Sequence, residues 1–204
     1  MLLPGVANAM TARIAEDAGY EALYVTGAGV SNFVLGVPDV GLITQRDVVD
    51  AVMAIADVVD LPLIVDADTG FGNAVNTYHT VRRLEAAGAS AIQLEDQVFP
   101  KKCGHFSGKE IVSTREMADK IRAAVDARRD HNTQIIARTD ASRLGVPSVP
   151  RKYFETTMLV AVCDQALGIS TSRCSNAGPS LPGISASRNS HSISSNGSRP
   201  GIVK

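Results

Sequence analysis

The chain has 204 residues, enough for one domain with a substantial core, or one domain and a tail, and too few for two ordinary domains. A formal net charge of −1 and a pI near 6.4 set nucleic acid aside as a partner, because polyanion binders carry a basic field. Three scattered cysteines, Cys103, Cys163 and Cys174, make no disulfide framework, and no apolar run nears a membrane span or a secretory leader, so a soluble protein of the reducing cytoplasm is expected.

Short β-branched runs then alternate with helical patterns. Leu2 to Val6 reads as a strand, Ala9 to Ala18 as a helix, and Tyr20 to Thr26 as a second strand. Thr44 is a plausible N-cap for a helix running to Val58. Leu61 to Val65 is the third strand, followed by a helix from Asn73 to Ala87 that stops at Gly88. Ala91 to Leu94 is the fourth strand. Ser113-Thr114-Arg115-Glu116 has capping-box spacing and opens a helix to Arg129, and Gln134 to Ala137 is the fifth strand. Runs such as LPLIV and AIQL are apolar on both faces, as strands of a helix-covered parallel sheet are. Five β/α units in succession predict an α/β fold, of the (β/α)8 TIM-barrel type more than of the doubly wound type, two folds that periodicity alone does not separate. Such barrels usually take about 250 residues, so the barrel is expected to be truncated after about five units.

The texture changes at Ser142. Residues up to Ala141 hold nineteen of the twenty-one acids, whereas eleven serines fall between Ser170 and Ser198. Residues 1–141 are therefore expected to form the partial barrel with the site. Residues 142–204 are expected to be a divergent, serine-rich, disordered tail with too little apolar surface to offset its ordering entropy. Within it, Tyr153 to Leu167 has apolar content for one helix. A switch of reading frame near Ser142 would explain the change.

Two acidic motifs end strands. In DADTGFG, Asp66 and Asp68 follow LPLIV directly, and residues i and i+2 of an extended strand point to one side. Glu95 and Asp96 occupy the same place on the next strand, at the end where barrel enzymes keep their chemistry. An isolated DxD more often caps a turn, and DADTGFG fails as a calcium loop; repetition on the neighbouring strand favours a metal site. Oxygen donors without His or Cys suit Mg²⁺ or Mn²⁺.

KKCGHFSGK, Lys101 to Lys109, has no second ligand pair for zinc and lacks the spacing of a phosphate-binding loop. Two readings of Cys103 stay open. One is a small buried loop cysteine; the other is a reactive thiol, with Lys101, Lys102 and His105 favouring thiolate or holding a proton near the sulfur.

DADTGFG, LEDQVFPKKCGH and ARTDA, in that order and spacing, resemble the isocitrate lyase and phosphoenolpyruvate mutase superfamily, particularly its 2-methylisocitrate lyase-like branch. The resemblance runs from about Pro4 to Ala141. It implies a (β/α)8 barrel binding Mg²⁺ and cleaving or forming C–C bonds in 2-hydroxy or 2-oxo di- and tricarboxylates such as 2-methylisocitrate or isocitrate. Carried over by residue, Asp66, Asp68 and Glu95 would hold the metal, directly or through water. Thr26, Gly27, Ala28, Asp39, Gly104 and Arg138 would bind the small carboxylate substrate, Arg138 by pairing with its carboxylate. Cys103 would be the acid/base thiol, flanked by Lys101 and His105, and Tyr24 is a catalytic candidate by position. Relatives form homo-oligomers. The alternatives are an inactive remnant that keeps metal or carboxylate binding, and another activity of the superfamily, such as oxaloacetate decarboxylation or hydrolysis or a carboxyphosphonoenolpyruvate phosphonomutase-like reaction.

Overall fold

In the computed structural model the described residues are 2–103 and 108–140, together with the backbone of 158–161. Five β/α steps appear in chain order: β1 (Gly5–Val6), α1 (Ala9–Asp17), β2 (Leu23–Val25), α2 (Gly27–Gly29), α3 (Gln45–Ala56), β3 (Leu63–Asp66), α4 (Ala74–Ala86), β4 (Ala89–Glu95), α5 (Thr114–Ala127) and β5 (Gln134–Arg138). A sixth strand, β6 (Met158–Ala161), follows. All six are parallel and lie side by side in sequence order, which is the strand order of a barrel and not of a doubly wound sheet.

The helix starts are built from local chemistry. Thr44 Oγ1 accepts the Asp47 N–H while Asp47 Oδ2 accepts the Thr44 N–H at 2.7 Å, a reciprocal cap for α3. Asn73 and Asn76 do the same for α4. At α5 the expected box is half made, Ser113 Oγ accepting from the Glu116 N–H at 3.2 Å. α4 ends where Gly88 takes φ +106, a conformation that a side chain would strain.

Strand alternation divides the sheet into two chemistries. Leu23, Val25, Leu63, Val65, Ile92, Leu94 and Ile135 are buried in one hydrophobic cluster with Val48, Val52 and Ile55 of α3, Val81 and Leu84 of α4, and Ile121 and Ala124 of α5. The alternate positions, Tyr24, Asp66, Gln93, Glu95 and Arg138, share the other face. Pairing keeps them in step, with Asp66 opposite Gln93 and Glu95 opposite Arg138. The helix-facing set holds the fold, and the opposite set carries polar chemistry at the C-terminal strand ends.

One expectation is corrected. Thr26 Oγ1 accepts the Gly29 N–H at 3.3 Å and starts α2, a helix not read from the sequence, which runs into a π-helical segment, Val30–Leu35. The helix read over Tyr153 to Leu167 is overturned at its centre. Residues 158–161, MLVA, are strand β6, because a short apolar run can pair its backbone with the open edge of β5. β6 thus follows the five β/α units read from the sequence, and the rest of residues 142–204 lies outside the described residues.

Leu84 is fully buried within the cluster. Leu84→Ala should destabilise the chain by about 2–5 kcal/mol in urea unfolding, the range for a core Leu truncation that leaves a cavity; a loss under about 1 kcal/mol would place α4 outside the core.

Candidate active site

Five carboxylates gather near the C-terminal ends of β3, β4 and β5. Asp66 closes β3, and Asp68 lies two residues beyond it at φ +46, a left-handed conformation that aspartate tolerates better than most residues. The turn ties itself to both strands: Asp66 Oδ1 accepts the Asp68 N–H at 3.1 Å, and the Asp68 carbonyl accepts the Glu95 N–H at 2.8 Å. From α5 below, the buried Lys120 donates to the Thr69 carbonyl at 3.1 Å. Burial holds the Lys120 ammonium below its ordinary pKa.

Two cations bind these acids together. Lys101 Nζ lies 2.7 Å from Asp39 Oδ1 and 2.9 Å from Asp68 Oδ1, with all three side chains buried. Arg138 Nη1 lies 3.2 Å from Glu95 Oε2, and its Nη2 is 3.5 Å from Asp140 Oδ1. Arg138 Nε is buried with no hydrogen-bond partner among the described residues. Burial, reinforced by Asp66, pushes Asp68 up to about 7 despite Lys101. Burial likewise pushes Glu95 up to about 8, although Arg138 pulls it down. For Lys101 and Arg138 burial works against the charge, but the surrounding carboxylates win and both ammonium and guanidinium are held above their ordinary values.

Gly27 marks the space between the acids. A Cβ there would stand 3.2 Å from Asp68 Oδ1 and 3.5 Å from Asp66 Oδ2, so two carboxylates from different points of the β3 turn face one glycine backbone. Tyr24 lies on the same face, its hydroxyl accepting from Gln93 Nε2 at 2.9 Å. Burial, then the Asp66 charge, pushes its phenol well above the ordinary value. It therefore stands as a neutral phenol and not as a ready base.

The residues expected from sequence divide accordingly. Asp39, Asp66, Asp68, Glu95, Lys101, Arg138 and Tyr24 come together, with Gly27 beneath them. Thr26 spends its side chain on capping α2, and Ala28 is half-buried within that helix. Cys103 is half-buried, and its N–H donates to the Asp39 carbonyl at 3.2 Å, which brings the cysteine segment to the residue that pairs with Lys101. Gly104 and His105 lie outside the described residues.

Sequence reasoning missed Gln97, Lys109 and Asp140. Gln97 Nε2 lies within hydrogen-bonding distance of Glu95 Oε1 (3.1 Å) and Asp140 Oδ2 (2.9 Å), and Lys109 Nζ lies 3.1 Å from the same Asp140 oxygen. Asp96 was read with the acids of the site but serves as a brace. Its carboxylate accepts the Thr139 hydroxyl and, at 2.9 Å, the Asp140 N–H.

The donor set suits a hard divalent cation. Every candidate is a carboxylate, two of them face one open backbone, and two carry raised pKa values that added positive charge would relieve. Among the described residues no three His, Cys, Asp or Glu side chains are already closed on one point. Mg²⁺ keeps several of its waters, so contact through water is compatible with that spread.

Residues 1–158 match the phosphoenolpyruvate phosphomutase family. The chain belongs to that family. It is 54% identical over 141 residues to a 2,3-dimethylmalate lyase of Eubacterium barkeri, covering 69% of this chain and 49% of the relative. To a 2-methylisocitrate lyase of Salmonella typhimurium it is 53% identical over 138 residues, covering 67% and 47%. A crystal structure of 2,3-dimethylmalate lyase, described as a PEP mutase/isocitrate lyase superfamily member, matches with a TM-score of 0.67 at 37% identity over 74% of this chain and 50% of that one. A phosphonopyruvate hydrolase solved with oxalate and Mg²⁺ matches with a TM-score of 0.66 at 34% identity, covering 80% and 59%. The chain spans about half the length of the curated relatives it matches. Among the described residues no helix is long and apolar enough to cross a membrane.

The raised carboxyls give the metal-free chain a pH signature. Unfolded Asp and Glu titrate near 4, whereas Asp68 and Glu95 do so at about 7 and about 8 when folded, so the folded state binds more protons between those limits. Stability should therefore fall as pH rises from about 4 to about 8. In calorimetry with chelator present, Tm should be lower at pH 8 than at pH 5.5; a Tm that climbs across this interval would contradict the charge crowding.

Proposed function

We propose that this chain carries the site of a Mg²⁺-dependent C–C bond lyase acting on a 2-hydroxy di- or tricarboxylate, of the class of 2-methylisocitrate or 2,3-dimethylmalate, and releasing a 2-oxo acid with a dicarboxylate from the tricarboxylate or a monocarboxylate from the dicarboxylate. One juxtaposition carries the reading: paired carboxylates over Gly27 beside Arg138, whose buried Nε–H has no partner among the described residues. The first suits a cation, and the second suits a carboxylate of the substrate. Two relatives above 50% identity are lyases of substrates with that chemistry.

Asp66, Asp68 and Glu95 would hold the ion, directly or through water. Mg²⁺ bound there would supply Lewis-acid polarisation of the substrate's oxygen next to the bond that breaks. Arg138 orients the substrate by a charge-assisted pair to its carboxylate, using the donor left unpaired and exchanging part of its contact with Glu95. The Gly27 backbone leaves room for an oxygen close to Asp66 and Asp68 that any side chain would take. As the C–C bond breaks, the hydroxyl proton passes to solvent, from which the thiolate formed later regains one, and the carbonyl forms. The bonding pair passes to the carbon next to the departing carboxylate. Cys103 delivers a proton to that carbon, and Lys101, anchored on Asp39 and Asp68, places positive charge in the same segment to stabilise the thiolate left behind.

The test is turnover of 2-methylisocitrate or 2,3-dimethylmalate with Mg²⁺, followed as 2-oxo acid release. Cys103→Ser should lower kcat by about 10²–10⁴, the range for loss of a placed proton donor, while Mg²⁺ still raises Tm. Stabilisation by Mg²⁺ with no turnover would leave binding without catalysis and sink the lyase reading. The likeness to phosphonopyruvate hydrolase with oxalate and Mg²⁺ favours a second reading, hydrolysis of a 2-oxo acid at the same site. Product analysis with phosphonopyruvate and oxaloacetate separates the two.

A further inference from the structure

The segment bearing Cys103 leaves β4 as an excursion whose base is zipped shut. Gln97 and Ile111 form an antiparallel bridge, and Val98 N–H donates to the Glu110 carbonyl at 2.8 Å. A backbone zipper of this kind fixes where the excursion starts, not how its far part sits against the sheet. Two side chains reach further. Gln97 Oε1 accepts the Lys102 N–H at 3.0 Å and its Nε2 donates to the Lys102 carbonyl at 3.1 Å, so one carboxamide grips both polar groups of the residue before Cys103. At the other end Lys109, buried although it is a lysine, puts its ammonium 3.1 Å from Asp140 Oδ2.

Both grips end on one oxygen. Asp140 Oδ2 also takes Gln97 Nε2 at 2.9 Å, and Asp140 is 1% exposed, braced through its N–H by Asp96 at 2.9 Å. We infer that Asp140 is a positioning residue. By fastening Lys109 directly and Lys102 through Gln97, it clamps both ends of the Cys103 segment to the ends of β4 and β5. A desolvated charge pair costs heavily to leave half-made, so the clamp should be closed or fully released and not slack. Asp140 needs no contact with substrate for this; it acts through the thiol it places. The inference rests on the lyase reading only for its catalytic consequence, since the clamp itself is tested without turnover.

The test uses the full chain with Cys163 and Cys174 replaced by serine, so that alkylation by iodoacetamide reports Cys103 alone. Gln97→Leu, Lys109→Met and Asp140→Asn should each raise the Cys103 alkylation rate by about tenfold or more, the effect expected when a charge-assisted bond that opposes local opening is lost. Lys109→Arg keeps the charge and should restore protection, which a change of packing alone would not explain. Each variant should keep a cooperative thermal transition. Alkylation at the parent rate in folded Gln97→Leu and Lys109→Met would show that the backbone zipper suffices and would overturn the clamp. Should the variants fail to fold, amide exchange in the unaltered chain decides. The Lys102 N–H should exchange as slowly as amides of β4, and exchange at the rate of an open loop would overturn the clamp equally.

Discussion

The arrangement depends on an imbalance of buried charge. Asp39, Asp66, Asp68, Glu95 and Asp140 supply five carboxylates, and Lys101, Lys109 and Arg138 supply three cations, almost all screened from water. Buried ions cost several kcal/mol each unless paired, and with fewer cations than acids the site is stable only while some cations serve more than one acid. Lys101 does this with Asp39 and Asp68, and Arg138 with Glu95 and Asp140. The raised carboxyls of Asp68 and Glu95 are the unresolved remainder of that charge, and they mark the place where added positive charge is most favourable.

The sheet imposes this crowding and the loops only refine it. Asp66, Glu95 and Arg138 are the last residues of adjacent parallel strands, and the register that sets Glu95 opposite Arg138 also sends Leu94 and Ala137 to the helix-covered face. A slip of one residue would exchange the two sets, placing charge in the apolar cluster and isoleucine at the strand ends. Core burial thus specifies the site: the apolar pattern pins the strands, and the strands fix where the charges meet. α5 adds a constraint from outside, because Lys120 reaches the Thr69 carbonyl and holds the turn that carries Asp68 in its left-handed conformation.

What the sequence disclosed follows the same logic. Asp66 and Asp68 were legible because a two-residue spacing at a strand end is a local property, and so were the caps at Thr44 and Ser113 and the stop at Gly88. Arg138 and Asp39 were singled out only through resemblance, since nothing local distinguishes them, whereas the basic surroundings of Cys103 left its two readings open until the resemblance was added. Gln97, Lys109 and Asp140 were missed although each lies in a motif that had been noticed. Their significance arises from pairings 31 and 43 residues apart along the chain, and a lysine beside a glycine gives no sign that it will be buried. The helical turn Gly27–Gly29, capped by Thr26, and the π-helical segment after it were not read, because a glycine-rich stretch carries no helical period. β6 escaped because four apolar residues carry no period that separates strand from helix.

The same geometry explains why the cysteine question could not be answered from composition. A lysine, a cysteine and a histidine in one glycine-punctuated stretch are compatible with an inert loop, and Cys103 alone settles nothing. Lys101 changes this, because a loop lysine buried between Asp39 and Asp68 links the segment directly to the acids of β3. The Cys103 N–H bond to the Asp39 carbonyl closes that link through the backbone. A solvated loop would keep its ammonium in water, where it costs nothing; drawing it into the charge cluster is worthwhile only if the cluster lacks positive charge. The cysteine segment is therefore tied to the charge cluster at its start, and the place of the Cys103 backbone beside Asp39 follows from where the neighbouring lysine finds its counter-ions.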